Sequence, residues 1–142
     1  MGITSTGPAI LRLPHVMISS HIQNRDVLNK RTIFIVEEKH GGDKVAYLYF
    51  DPANRGSAEI SVGIMQTFSS RGFGRQAVCG LCNLADRLGF KSIYAMVRED
   101  NLRSQRMFRH AGFEKTNTFS FQFIQNLNKK IKMIQFRKVR QR

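Results

Sequence analysis

The apolar residues of this chain recur with a period of two up to residue 65 and with a helical period after residue 74. The change happens across one glycine pair, Gly72 and Gly74. Alternation marks half-buried strands and a 3.6 period marks amphipathic helices. The switch therefore requires a fold in which a run of strands feeds directly into a helix. Residues 32–38 (TIFIVEE) are β-branched and aromatic, and His40-Gly41-Gly42-Asp43 reads as a hairpin turn. Residues 44–50 return as a second strand, and 51–56 (DPANRG) form another turn cluster. Residues 58–65 (AEISVGIM) make a third strand, with Ile60, Val62 and Ile64 on one face and Glu59 on the other.

Beyond Gly74, Ala77, Val78, Leu81, Cys82, Ala85 and Leu88 recur at helical spacing until Gly89 stops the helix. A strand over 92–97, a helix over 101–111 and a hairpin of two further strands follow, turned at 126–128. The order from residue 32 is β-β-β-α-β-α-β-β, an α/β (α+β) domain with a mixed, mostly antiparallel sheet flanked by helices. The first 31 residues carry weaker patterns. Ile10, Leu11 and Leu13 start a strand, and Ser19 or Ser20 caps a short helix through Val27 and Leu28. At 142 residues, 42% hydrophobic and 23% charged, the chain is expected to be one globular domain over 1–142 that needs neither disulfide nor metal.

The net charge of +13 calls for an anionic partner: a nucleotide-bearing cofactor, a nucleic acid or an acidic surface. No acidic residue follows Glu114, whereas eight lysines and arginines do. The plain reading of that basic end is a solubilising face. Two cysteines and no secretory pattern over 1–13 lead to an expectation of a cytoplasmic protein, and no apolar run is long enough for a membrane span.

The segment Ser69-Ser70-Arg71-Gly72-Phe73-Gly74 joins a strand to a helix. Two glycines allow a tight turn whose N–H groups reach an anion, and the helix dipole points at the same place. Arg71 and Arg75 add charge. A dinucleotide-binding reading fails because a meander precedes the turn and a third glycine is missing. A P-loop reading fails because no Gly-Lys-Ser/Thr follows.

Together these segments resemble the Gcn5-related N-acetyltransferase (GNAT) family. Its cofactor loop, Gln/Arg-x-x-Gly-x-Gly/Ala, finds Gly72 and Gly74 on its small positions, with Ser69 in place of Gln or Arg. The stretch from Val97 to Phe113 (VREDNLRSQRMFRHAGF) resembles the second signature, Asn-x-x-Ser/Ala…Phe/Tyr-x-x-x-Gly-Phe. The resemblance implies the GNAT fold and acetyl-CoA as co-substrate, with no metal. It implies that Ile64, Met65 and Gln66 pair with the pantetheine arm, and that Ser70, Arg71, Gly72, Phe73, Gly74 and Arg75 hold the pyrophosphate. Asn101 would bond the pantetheine, and Ser104 and Phe108 would line the cleft between two splayed strands, where an amine attacks the thioester. Phe108 stands where many relatives carry a tyrosine that protonates the thiolate, which leaves Ser104, Tyr94 or solvent for that task.

Residues 32–51 and the following AEISVGI also resemble the amino-sugar-nucleotide N-acetyltransferases of the pseudaminic acid pathway. In those enzymes a histidine-bearing helix precedes this run, and His21 takes that place in a shortened N-terminal region over 1–31. The expected partners are acetyl-CoA and an amine acceptor, an amino-sugar nucleotide or a peptide. A homodimer is allowed for, and neither a membrane nor a nucleic acid is favoured. Two rival readings stay open: a ribosomal-protein or peptide N-acetyltransferase, and a CoA- or nucleic-acid-binding module that has lost its chemistry.

Glu59 and His21 are the candidate bases for deprotonating the amine. Partial burial at the strand start would raise the Glu59 pKa toward that task. Cys79 and Cys82 lie inside a helix, too far from its N-terminus for a redox pair, and read as packing residues. Phe119, Phe121 and Phe123 beside the basic end raise single-strand base stacking. Their strict alternation with polar residues predicts a core face instead.

Overall fold

The computed structural model describes residues 8–12, 16–23, 30–53, 56–64 and 72–140. Strands β1 (Pro8–Arg12), β2 (Val16–Gln23), β3 (Thr32–Glu38), β4 (Lys44–Pro52) and β5 (Ser57–Ile64) form an antiparallel meander. Helix α1 (Phe73–Leu88) then crosses to β6 (Ser92–Arg98), which runs parallel to β5. Helix α2 (Leu102–His110) follows, and a hairpin of β7 (Glu114–Ile124) and β8 (Lys129–Val139) closes the chain. The spatial order is β1-β2-β3-β4-β5-β6-β8-β7, so β8 inserts between β6 and β7.

From Thr32 onward the element order matches the one expected. Ahead of it, the strand expected near Ile10 is β1. The helix expected from Ser19 or Ser20 gives way to β2, at least as far as Gln23, and residues 24–29 lie outside the described residues. Val16, Ile18 and Ser20 are buried in alternation along β2, with Val16 opposite Glu38 and Ile18 opposite Val36. Sheet pairing of β-branched residues thus outweighs a serine cap that has no apolar helical face to support. His21 stands in this strand and not on a helix.

One face of the sheet carries Phe34, Val36, Leu48, Phe50, Ala58 and Ile60, all at most 1% exposed, and packs on the buried stripe of α1. Burying side chains of this kind contributes roughly 1.5–3 kcal/mol each. Cys82 lies in this core and Cys79 packs against it; burial pushes the Cys82 thiol up to about 12, as a packing role requires. The opposite face carries Ile33, Tyr47, Asp51, Glu59 and Tyr94, none of them fully buried.

The expected core face of the last hairpin is overturned. Phe119, Phe121 and Phe123 are 53%, 61% and 53% exposed. β6 ends its pairing with β8 at Arg98 opposite Met133, so β8 from Lys129 to Lys132 and its β7 partners extend past the neighbouring strand as a two-stranded ribbon. Alternation sorted the phenylalanines to one side, and the sheet supplies nothing there to cover them. Among the described residues no helix is long and apolar enough to cross a membrane.

Candidate active site

Strands β5 and β6 pair only at Ser57–Ser92, Ala58–Ile93 and Glu59–Tyr94. β5 nevertheless runs to Ile64, held by β4, and β6 runs to Arg98, held by β8. The facing edges therefore diverge after Glu59, and part of the backbone N–H and C=O groups on each points into the gap. Such groups need partners. A cleft of about 160 Å³ opens between the strands, lined by Ile60, Ser61 and Val62 on one wall and by Asn101, Ser104 and Phe108 on the other.

The second wall is built by the start of α2. Asn101 is its N-cap: the side-chain Oδ1 accepts from Ser104 N at 3.1 Å. This cap fixes the amide and leaves its two N–H donors for a ligand. Gln105, 7% exposed, anchors the turn by donating from Nε2 to Arg98 O at 3.2 Å and Glu99 O at 2.8 Å. Arg98 and Asp100 close the turn outside with paired contacts of 3.0 and 2.9 Å, and the bond from Arg98 holds the Asp100 carboxyl below its ordinary value. Phe108 is buried edge-on against Phe113, ring centroids 5.1 Å apart. It offers no proton, so among the described cleft residues the hydroxyls are those of Ser61 and Ser104.

In chain order after β5, α1 begins on Gly72, whose φ of 81° only glycine adopts without strain. No side chain caps this end and no acid sits in the first turn. A bond runs from Gln76 N to Gly72 O, so the amides of Gly74 and Arg75 belong to the first turn, where a helix presents N–H groups without intrahelical partners. Met65, Gln66, Ser70 and Arg71 lie outside the described residues, and Ile64 is described in its backbone only. Phe73 and Gly74 are buried, and Arg75 is exposed.

Glu59 sits where the strands part, cross-strand from Asp51 on β4 and from Tyr94 on β6. Burial above all, then the Asp51 charge, pushes its carboxyl up from the usual 4.5, while Arg31 pulls the other way. Burial, with Glu59 and Asp51 behind it, likewise raises the Tyr94 hydroxyl. Further along the same face the Tyr47 ring lies on Gly63, where an added Cβ would overlap it. Nothing is described of the His21 side chain; Glu59 stands at the last β5–β6 pair, next to Ile60 of the cleft wall.

Sequence reasoning missed Gln105, Asp51 and the Tyr47–Gly63 contact. A glutamine one turn into a helix reads as solvated surface. Asp51 reads as turn chemistry before its proline. The glycine reads as a weak strand position until its cross-strand neighbour is known.

Residues 9–114 match the Acetyltransferase (GNAT) domain family. No curated protein matches the chain. Among solved structures, an acetyltransferase of the GNAT family from Bacillus anthracis is similar with TM-score 0.76 at 12% identity, covering 92% of this chain and 98% of that one. A ribosomal-protein-alanine N-acetyltransferase from Brucella melitensis superposes with TM-score 0.68 at 23% identity over 82% and 71% of the two chains. The yncA protein of Salmonella typhimurium, whose structure holds acetyl-CoA as its cofactor, gives TM-score 0.67 at 22% identity over 81% and 67%.

Proposed function

The chain belongs to the GNAT acetyltransferase family, whose acyl donor is acetyl-CoA, and from that footing we propose that it transfers the acetyl group to a primary amine. The observation that carries this reading is the parting of β5 and β6 after Glu59 and Tyr94. A gap with backbone donors and acceptors on both sides accepts a ligand that carries amides of its own, as an added strand does. Bound there, the cofactor supplies an acetyl thioester open to attack.

The residues present fit such a cofactor. Asn101 donates from its side-chain amide, Ile60 and Val62 give an apolar wall, and the N-terminus of α1 at Gly72, Gly74 and Arg75 receives the diphosphate. In the wider reading Ile64, Met65 and Gln66 continue the backbone wall, and Ser70, Arg71 and Phe73 continue the anion cradle. Glu59 accepts the proton of the incoming ammonium, directly or through one water, and its raised pKa suits a base that works near neutral pH. Ser104 is the hydroxyl beside Phe108 and serves the departing thiolate. Between acceptors, the net charge of +13 favours an amine carried on an anion, such as an amino-sugar nucleotide, over a basic peptide.

Thermal unfolding with and without coenzyme A tests the site. At a hundred times Kd the ligand should stabilise the fold by about 2.7 kcal/mol. Thiol release from acetyl-CoA in the presence of amino-sugar nucleotides and, separately, of basic peptides then assigns the acceptor. Absence of any coenzyme-dependent shift overturns the reading.

A further inference from the structure

The ribbon of β7 and β8 is an unusual surface for a chain this charged. Residues 116–128 contain thirteen consecutive uncharged side chains, in a sequence with 23 basic and 10 acidic ones. Within them Phe119, Phe121 and Phe123 share one face and are each more than half exposed, with Phe119 and Phe121 edge-on at 5.9 Å. Three such rings expose roughly 300 Å² of apolar area, enough to mark an interaction surface. β7 is also the last strand of the sheet, so its outer backbone edge is unpaired among the described residues.

Natural edge strands are usually protected by charge, proline or a bulge. β7 has a bulge, but only over its first part. Lys115 pairs with Phe136 and Phe119 with Ile134, so Thr116, Asn117 and Thr118 face the single residue Gln135. Thr116 Oγ1 donates to Gln135 Oε1 at 2.8 Å and accepts from Thr118 N at 3.1 Å, which fixes that irregularity. From Phe119 to Ile124 the register is regular and the edge carries no guard.

We propose that this edge pairs with the same edge of a second copy of the chain, antiparallel about a two-fold axis through Phe121. The sequence is self-complementary in that register. Phe119 falls opposite the partner's Phe123, Phe121 opposite the partner's Phe121, and Ser120 opposite the partner's Gln122. Aromatic residues meet aromatic residues on one face and small polar residues meet on the other, the pairs that stabilise antiparallel sheets.

Charge permits the contact. The lysines of the ribbon stand on β8, the strand away from the partner, and Lys132 is already engaged by Glu99 at 3.7 Å and by the Phe119 ring at 4.5 Å. Across the two β7 strands the β8 backbones stand about 14 Å apart. That exceeds the Debye length of about 8 Å at physiological ionic strength. The same lysines beside exposed rings would fit single-stranded nucleic acid, but the uncharged run lies on the outer strand, where a phosphate backbone needs cations. The small area implies a concentration-dependent dimer.

Light scattering on the whole chain from low micromolar to several hundred micromolar tests this. Wild type should rise from the mass of one chain toward that of two, equally or more strongly as salt is raised. Phe121→Lys should stay monomeric throughout while keeping its circular dichroism and its coenzyme-dependent thermal shift. A mixture of Ser120→Cys and Gln122→Cys chains should form a disulfide-linked dimer on mild oxidation, whereas neither alone should do so to the same extent. A wild type that stays monomeric, a Phe121→Lys chain that still dimerises, or cross-linking indifferent to the pairing overturns the proposal. So does a monomer that binds a single-stranded oligonucleotide with an affinity that falls steeply with salt, which would assign the ribbon to nucleic acid. Because the thermal shift reads the cleft separately, failure of the dimer leaves the acetyltransferase reading standing.

Discussion

Glu59 combines two properties that pull in opposite directions. Its carboxyl titrates above the ordinary range because burial and Asp51 disfavour the charged form. As a base it must be ionised, so kcat/KM should rise with pH through that raised pKa. Glu59→Gln should remove the acid limb of the pH profile and lower kcat by roughly 10²–10⁴-fold. The stability effect has the other sign. A raised native pKa means that the folded chain binds the proton more tightly than the unfolded one. The contribution is present below the unfolded value and lost as pH rises through the native value. Glu59→Gln should therefore melt at or above the wild-type temperature at pH 7, and the advantage should vanish under acid conditions, as scanning calorimetry would show. At Gly72 the constraint is the backbone. A Cβ there meets nothing within 4 Å, yet φ is 81°, so Gly72→Val introduces strain in place of a clash. That variant should lose the coenzyme-dependent thermal shift while retaining the helical signal of α1.

At the scale of elements, the start of α2 is tied to the cleft through Gln105. Gln105→Leu leaves the Arg98 and Glu99 carbonyls without their side-chain donor. It should cost about 1–3 kcal/mol in denaturant unfolding. It should also raise KM for acetyl-CoA more than it lowers kcat, because Asn101 loses its footing. These elements were also the most legible in the sequence. α1 ends on the glycine expected to stop it, the asparagine expected in the site is the N-cap of α2, and β5 presents Glu59 opposite Ile60 as alternation requires. What failed was the inference from pattern to environment. Alternation in β7 gave the correct strand and the wrong burial, because a period of two says which residues share a side and nothing about what lies over that side. Ser19 and Ser20 misled for the related reason that a cap signal carries weight only ahead of an amphipathic run, and residues 16–23 instead supply the alternation of a strand.

Among the described residues the molecule is a sheet of two halves, with α1 packed on the meander and α2 packed against α1. Most of its basic excess belongs to regions outside the meander core, and in the proposed function the coenzyme's phosphates are the target of that charge. Affinity for coenzyme A should accordingly weaken as ionic strength rises, and titration calorimetry between low and high salt should record it. Of the candidate site, the sequence order of two glycines, an asparagine and two helix starts was legible: Gly72 and Asn101 are the N-caps of α1 and α2. The face around Glu59 was less so, since Tyr47, Asp51, Glu59 and Tyr94 come from three strands that only the register assembles.

Only three residue pairs stitch β5 to β6, with α1 spanning the seam behind them. A sheet joined so narrowly can scissor: the meander and the terminal hairpin are leaves on a common spine, and a coenzyme bound as proposed would be the missing rung that locks them. Those amides of residues 60–64 and 95–98 that face the gap, and not their neighbours bonded to β4 and β8, should exchange quickly in the free protein and slow together on loading.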